Sequence, residues 1–197
     1  MSEQKVEIGK AIGYGWDSVK KDFWYWVGIA LVVCVIEGIG TGGKGRESMG
    51  LLGLFLSAWI TSGYTKIGLN YFDGKKSEFI ALFNQFKYFW RVLGANILVG
   101  LIVIGGLILL VIPGIYWGLK YIFTVILIID KDLGILEAMA ESAKMTKGIK
   151  LRLFGYCLSM LGVMILGFIA FGVGILVAMP LTWLATTYIY KKLLIKK

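Results

Sequence analysis

Apolar residues run along this chain in long blocks separated by short polar stretches, and each block approaches the length needed to cross a bilayer. Phe23 to Ile36, Leu51 to Ile60, Val92 to Ile112 and Leu153 to Thr186 carry few or no charges. A hydrocarbon core of ~30 Å takes about 20 such residues as a helix. The pattern predicts an all-α membrane protein, a single membrane domain over residues 1–197. Its six transmembrane helices fall at about 23–40, 50–69, 88–104, 107–129, 152–171 and 174–190.

The polar stretches recur as well. Comparing the chain with itself yields three copies of one unit, an amphipathic helix followed by a helical hairpin, over about 6–71, 73–130 and 132–190. Phe23, Trp24, Gly28 and Leu31 open the first hairpin, and Phe89, Trp90, Gly94 and Ile97 open the second at the same spacing. Leu151, Gly155 and Leu158 follow more loosely, and Gly105 with Gly172 and Pro113 with Pro180 correspond. A turn at Pro180 would leave too few residues to reach the Lys191-Lys192 pair, so the hairpin turns are expected at Gly105-Gly106 and Gly172 to Gly174. Pro113 and Pro180 then become kinks in the returning helices.

Each copy opens with an amphipathic segment. In the second, Phe79, Phe83, Phe86 and Trp90 recur at helical spacing opposite Glu78, Gln85, Lys87 and Arg91, which predicts a helix lying in the headgroup layer. Ile8, Ile12, Val19 and Phe23 do the same in the first copy. The third, with Leu136, Met139 and Ala143 opposite Glu137, Glu141 and Lys144, is less apolar and suited to packing on protein.

Composition agrees with a lipid solvent: 58% of residues are hydrophobic and 17% charged, with a mean hydropathy of +0.78. The net charge of +9 does not form a basic patch interleaved with stacking aromatics, which argues against nucleic acid. Instead, 18 of the 21 Lys and Arg residues fall beside apolar blocks on one side of the predicted topology, Lys44 and Arg46 on the other, and Lys120 between. This asymmetry predicts a multi-pass protein of the plasma membrane with both termini cytoplasmic, its cations set against anionic lipid headgroups. The polar N-terminal stretch does not resemble a removable signal peptide. Cys34 and Cys157 lie inside apolar runs and read as packing residues.

Candidate chemistry is sparse. Residues 38–45, GIGTGGKG, approach a phosphate-binding loop, but Gly45 stands where a Ser or Thr would hold magnesium, and a transmembrane helix precedes it instead of a strand. With a turn at Gly105-Gly106, Lys120 lies ~15 Å from the cytoplasmic end of its helix, in mid-membrane. There it is either a functional polar site or a side chain snorkelling along Tyr116, Trp117 and Tyr121. Glu37, at similar depth, is its candidate partner, or else an acid at the outer rim. Glycines within the spans favour close helix packing and a homo-oligomer or protein partner. Trp24, Trp26, Trp90, Trp117, Trp183, Tyr188 and Tyr190 read as interface belts. Asp130 and Asp132 suit capping of a helix starting at Leu133. The chain has no histidine, and no nucleophile with a base, metal-ligand cluster or cofactor motif is evident, so catalysis is not expected.

At residues 111–156 the chain resembles the DUF975 and YciC-like group of bacterial and archaeal membrane proteins. The resemblance rests on Pro113-Gly114-Ile115-Tyr116, the basic Lys120, Asp130, Ala138, Ser142, Thr146-Lys147-Gly148 and Leu153 to Gly155. It implies a polytopic helical membrane protein without an assigned activity, and it supports Lys120 as a basic position. The expectation is a non-enzymatic lipid- or small-solute-handling component or a membrane scaffold. The competing class is a membrane enzyme subunit acting on lipid phosphates.

Overall fold

A computed structural model describes residues 6–41, 46–75, 77–169 and 174–195, with the backbone alone at 39–41 and 46–52. The described chain is helical, and none of it is a strand. In order it forms α1 (Ile8–Lys21), α2 (Phe23–Thr41), α3 (Arg46–Phe72), a 3₁₀ turn (Phe79–Leu82), α4 (Phe86–Leu109), α5 (Val111–Lys120), α6 (Thr124–Lys131), α7 (Ile135–Met145), α8 (Lys150–Ile169) and α9 (Ile175–Ile195). Three stretches, Phe86–Leu109, Val111–Lys131 and Lys150–Ile169, are long and apolar enough to cross a membrane, and Phe23–Gly38 is apolar but shorter. Helices α3 and α9 mix apolar residues with Thr, Tyr and Lys.

Two hydrophobic cores hold these helices together. One surrounds α6, whose Ile126, Leu127, Ile128 and Ile129 pack with Val92, Leu93, Ala138, Leu153 and Ile189. The other joins α1, α2, α3 and α9 through Val19, Trp26, Ile29, Ile67 and Leu184. Large apolar side chains also remain outside: Leu107 to Ile112 at the junction of α4 and α5, and Leu158, Leu161, Ile165, Leu166, Phe168 and Ile169 along α8. Ile108 is 80% exposed and Ile112 79%, a degree of apolar exposure that water disfavours over so large a patch.

The turn between α4 and α5 lies at Leu110, whose extended backbone (φ −164°, ψ 145°) separates the two helices. Gly105 and Gly106 are helical instead, which corrects the expectation of a turn there. A Cβ on Gly106 would strike Trp117 and the Gly114 backbone, so this glycine lets α4 and α5 touch. Pro113 falls in the first turn of α5, where its missing N–H has no intrahelical partner to lose, so it introduces no kink. Pro180 is internal to α9. In the third hairpin Gly174 precedes α9, its carbonyl accepting from Val177 and Ala178. Gly172 lies outside the described residues, as do residues 42–45 of the glycine-rich loop.

The amphipathic segments depart from expectation in two places. Helix α1 packs along α9, burying Ala11, Gly15, Ser18 and Val19, and Gly15 fits against the Leu181 carbonyl. Its partner is thus protein, not the acyl chains. The segment opening the second unit is no continuous helix: only Phe79–Leu82 turns, as 3₁₀, before α4 begins at Phe86. Tertiary contacts explain this. The Leu82 backbone rests on Gly63, Phe79 on Gly28, and the Trp59 indole N–H donates to the Phe83 carbonyl at 3.1 Å. By contrast α7 buries Ala138, Met139, Ser142 and Met145 against the α6 core.

Candidate functional site

One polar cluster forms where three helices finish. Helix α3 ends at Phe72, α6 at Lys131, and the apolar part of α9 at Tyr190. Next to those ends, Lys191 donates to Asp73 at 3.1 Å and to Asp130 at 3.2 Å, and the Tyr190 hydroxyl donates to the other Asp130 oxygen at 2.8 Å. The Lys191 and Asp130 side chains are only 14% and 18% exposed. Burial works against the Lys191 charge, but the two carboxylates more than offset it and its pKa is raised. One ammonium therefore ties together segments more than a hundred residues apart.

A second ion cluster joins α4 to the α6–α7 turn. Asp132 takes a left-handed backbone (φ 54°) that caps α6, which turns its carboxylate to Lys87 at 2.7 Å and to Arg91. Hydrogen bonds from both cations hold its pKa below the usual carboxylate range. Helix α7 starts at Ile135, two residues later than expected. Its first turn is satisfied by Glu137, which accepts from the Gly134 N–H at 3.2 Å, and not by Asp130 or Asp132.

A third cluster lies between α1, the start of α2 and the end of α3. Tyr71, two residues beyond the predicted span 50–69, donates to Asp22 at 2.8 Å. Burial, with that hydrogen bond, pushes its pKa up to about 12. Nearby the Tyr25 hydroxyl donates to the Ser77 carbonyl at 2.6 Å, and the Asn70 amide to the Ser77 hydroxyl at 2.9 Å. Two cavities share Asp22 and Tyr71. One of about 380 Å³ is lined by Tyr14, Asp17, Lys21, Phe72 and Lys75 among others, and one of about 280 Å³ reaches Tyr25 and Ser77.

The expected intramembrane pair does not form. Lys120 closes α5, and its ammonium sits 5.0 Å from the Tyr121 ring centre, with no ion pair among the described residues. Glu37 lies in α2, in the neighbourhood of Cys34 and Tyr64. Lys120 falls near the middle of the apolar stretch Val111–Lys131, and Lys150, at the start of α8, lies 3.6 Å from the ring of Tyr116 on α5. The Lys120 carbonyl accepts from Ser142 at 2.9 Å and Thr146 at 3.3 Å, while the Phe123 N–H donates to Ser142 at 3.3 Å. These hydroxyls satisfy the end of α5 where the chain turns into α6. Gly148 adopts φ +83°, which a glycine reaches without strain, and lets the chain turn from α7 into α8. The Lys120, Ser142 and Thr146-Lys147-Gly148 positions thus work together as a fold-back of α7 over α5 and α6.

The aromatic residues divide. Trp24 and Trp90 are 82% and 65% exposed, as a belt requires, whereas Trp26 and Tyr190 are buried and Trp183 stacks on Tyr64 at 3.9 Å. The Asp73, Asp130 and Lys191 junction had no local signal beyond each residue's place at a helix end.

Residues 101–197 match the model of a family described as a protein of unknown function, DUF975. No curated protein and no solved structure matches the chain. The matched half contains the α7 fold-back with Lys120, Ser142 and Thr146, as well as Asp130 and Lys191, and over these residues the chain belongs to the DUF975 family.

Proposed function

We propose that the protein is a multi-spanning plasma-membrane protein, with both termini cytoplasmic, that handles lipid without catalysing a reaction. The carrying observation is the separation of surfaces. Large apolar side chains stay exposed along α8 and around the α4–α5 turn, while the clusters of Asp73–Lys191–Asp130, Asp132–Arg91 and Asp22–Tyr71 all lie at helix ends. Lipid stabilises the first surface, and headgroups with water the second. Six spans in three like-oriented units accord with this reading, because the ends of three returning helices converge on Lys191.

Handling of lipid is favoured over solute passage, since the two cavities that share Asp22 and Tyr71 lie where α2 begins and α3 ends. Purified protein examined by native mass spectrometry is expected to retain phospholipid at near-stoichiometric amounts and to leave its headgroup intact on incubation. Headgroup hydrolysis or transfer would put the protein among membrane enzymes. Lipid-free protein that is monodisperse without detergent would remove the membrane reading itself.

A further inference from the structure

The cavity between α1 and the end of α3 combines features that a simple anchoring surface lacks. Lys21 and Lys75 both line it, and neither has an ion-pair partner among the described residues. Two carboxylates share the same lining: Asp17, held only loosely by Lys20 at 3.7 Å, and Asp22, which accepts from Tyr71. Its wall is aromatic, with Tyr14 5.6 Å from the Phe72 ring. Gly74, at φ +74°, reverses the chain directly after α3, and the Lys75 N–H donates back to the Asn70 carbonyl at 2.8 Å. This turn brings Lys75 into the same lining as Lys21. At about 380 Å³ the space is within the ~300–1,000 Å³ range of ligand pockets.

Depth follows from the sequence. The cavity sits where α2 begins at Phe23 and α3 ends at Phe72, both at the cytoplasmic boundary of the expected spans, which is headgroup level. An anionic headgroup alone would leave Asp17 and Asp22 opposed to it, and a cation alone would be repelled by the two lysines. The geometry points to a receptor for a zwitterionic phosphoethanolamine group, with Lys21 and Lys75 on the phosphate and Asp17 with Asp22 on the primary ammonium. This rests on the lipid-handling reading and names its headgroup.

The test titrates full-length protein in detergent with dihexanoyl phosphatidylethanolamine, dihexanoyl phosphatidylglycerol and free phosphoethanolamine, following bound ligand by native mass spectrometry. Phosphatidylethanolamine is expected to bind most tightly. Removing both cations in Lys21→Gln/Lys75→Gln should weaken it about thirtyfold, and Asp17→Asn should erase the preference over phosphatidylglycerol. All three side chains reach solvent, and unchanged thermal melting of the variants checks that folding is intact. Unaltered phosphatidylethanolamine affinity in the double-lysine variant overturns the site while leaving lipid handling standing. Binding of no phospholipid at all overturns lipid handling too. Free phosphoethanolamine bound as tightly as the lipid would make the ligand a soluble metabolite, against the lipid assignment.

Discussion

Replacing Lys191 with methionine keeps most of the side-chain volume and removes one charge, leaving Asp73 and Asp130 facing each other without the ammonium that holds both within 3.2 Å. Breaking a fully buried pair in this way costs about 3–5 kcal/mol. Asp73 is 44% exposed and Lys191 and Asp130 are 14% and 18% exposed, so water screens part of the loss. An intermediate cost of about 2–3 kcal/mol follows. For a chain of this size that lowers the melting midpoint by roughly 5–10 °C, readable by circular dichroism in detergent. Adding Asp73→Asn and Asp130→Asn removes the repulsion while leaving Tyr190 an amide oxygen to donate to, and should recover more than half of the loss. Lys192→Met supplies the control, since Lys192 lies over the Tyr188 ring at 5.5 Å and has no ion pair among the described residues. If Lys191→Met and Lys192→Met shift the midpoint equally, Lys191 is one more headgroup anchor and the junction holds nothing together.

Three further outcomes follow from single contacts. Ser142→Ala removes the buried hydroxyl on the Lys120 carbonyl and should cost about 1–3 kcal/mol, whereas Ser159→Ala, whose hydroxyl bonds only within its own helix at Gly155, should leave the melting curve nearly unchanged. Gly63→Ala drives a Cβ into the Leu82 carbonyl and should destabilise toward the upper end of the ~1–3 kcal/mol typical of overpacking, with the Trp59 fluorescence altered in the folded state. The Asp132 carboxyl pKa is lowered by hydrogen bonds from Lys87 and Arg91. The stability it adds is complete above the unfolded carboxylate value near ~4 and disappears as pH falls through its lower folded value. Melting of Asp132→Asn should therefore differ from the parent at pH 7, and the difference should begin to shrink below about pH 4 and vanish only under the lowered folded value.

Much of the helical framework was legible because hydrophobic runs and their breaks depend on local sequence. Helix α8 (Lys150–Ile169) runs along the apolar stretch expected at 152–171, and α2 (Phe23–Thr41) along that expected at 23–40. The second hairpin failed at Gly105-Gly106 because a glycine that makes a turn and a glycine that admits a neighbouring helix leave the same mark in a sequence. Only the approach of Trp117 and Gly114 separates them. The aromatic spacing from Phe79 to Trp90 matched a helix, yet Trp59, Gly28 and Gly63 hold that segment in another shape. Lys120 stands out as a charge in an apolar run, whereas the contacts of its backbone carbonyl with Ser142 and Thr146 leave no mark in a side-chain pattern. Asp73, Asp130 and Lys191 each looked like an ordinary helix-end residue. Their meeting depends on how the ends of α3, α6 and α9 pack together.

In the membrane reading the exposed apolar helices lie in lipid, with the polar helix ends on the cytoplasmic side. Its most direct test places single cysteines at Lys75 and at Lys192 in a protein with Cys34 and Cys157 replaced by serine, and labels them with a membrane-impermeant maleimide in vesicles of known orientation. Both sites should react in inside-out vesicles and stay unlabelled in right-side-out ones, in protein that remains in the membrane pellet after alkaline carbonate. Labelling of the two sites from opposite faces, or release of the protein by carbonate, would contradict it.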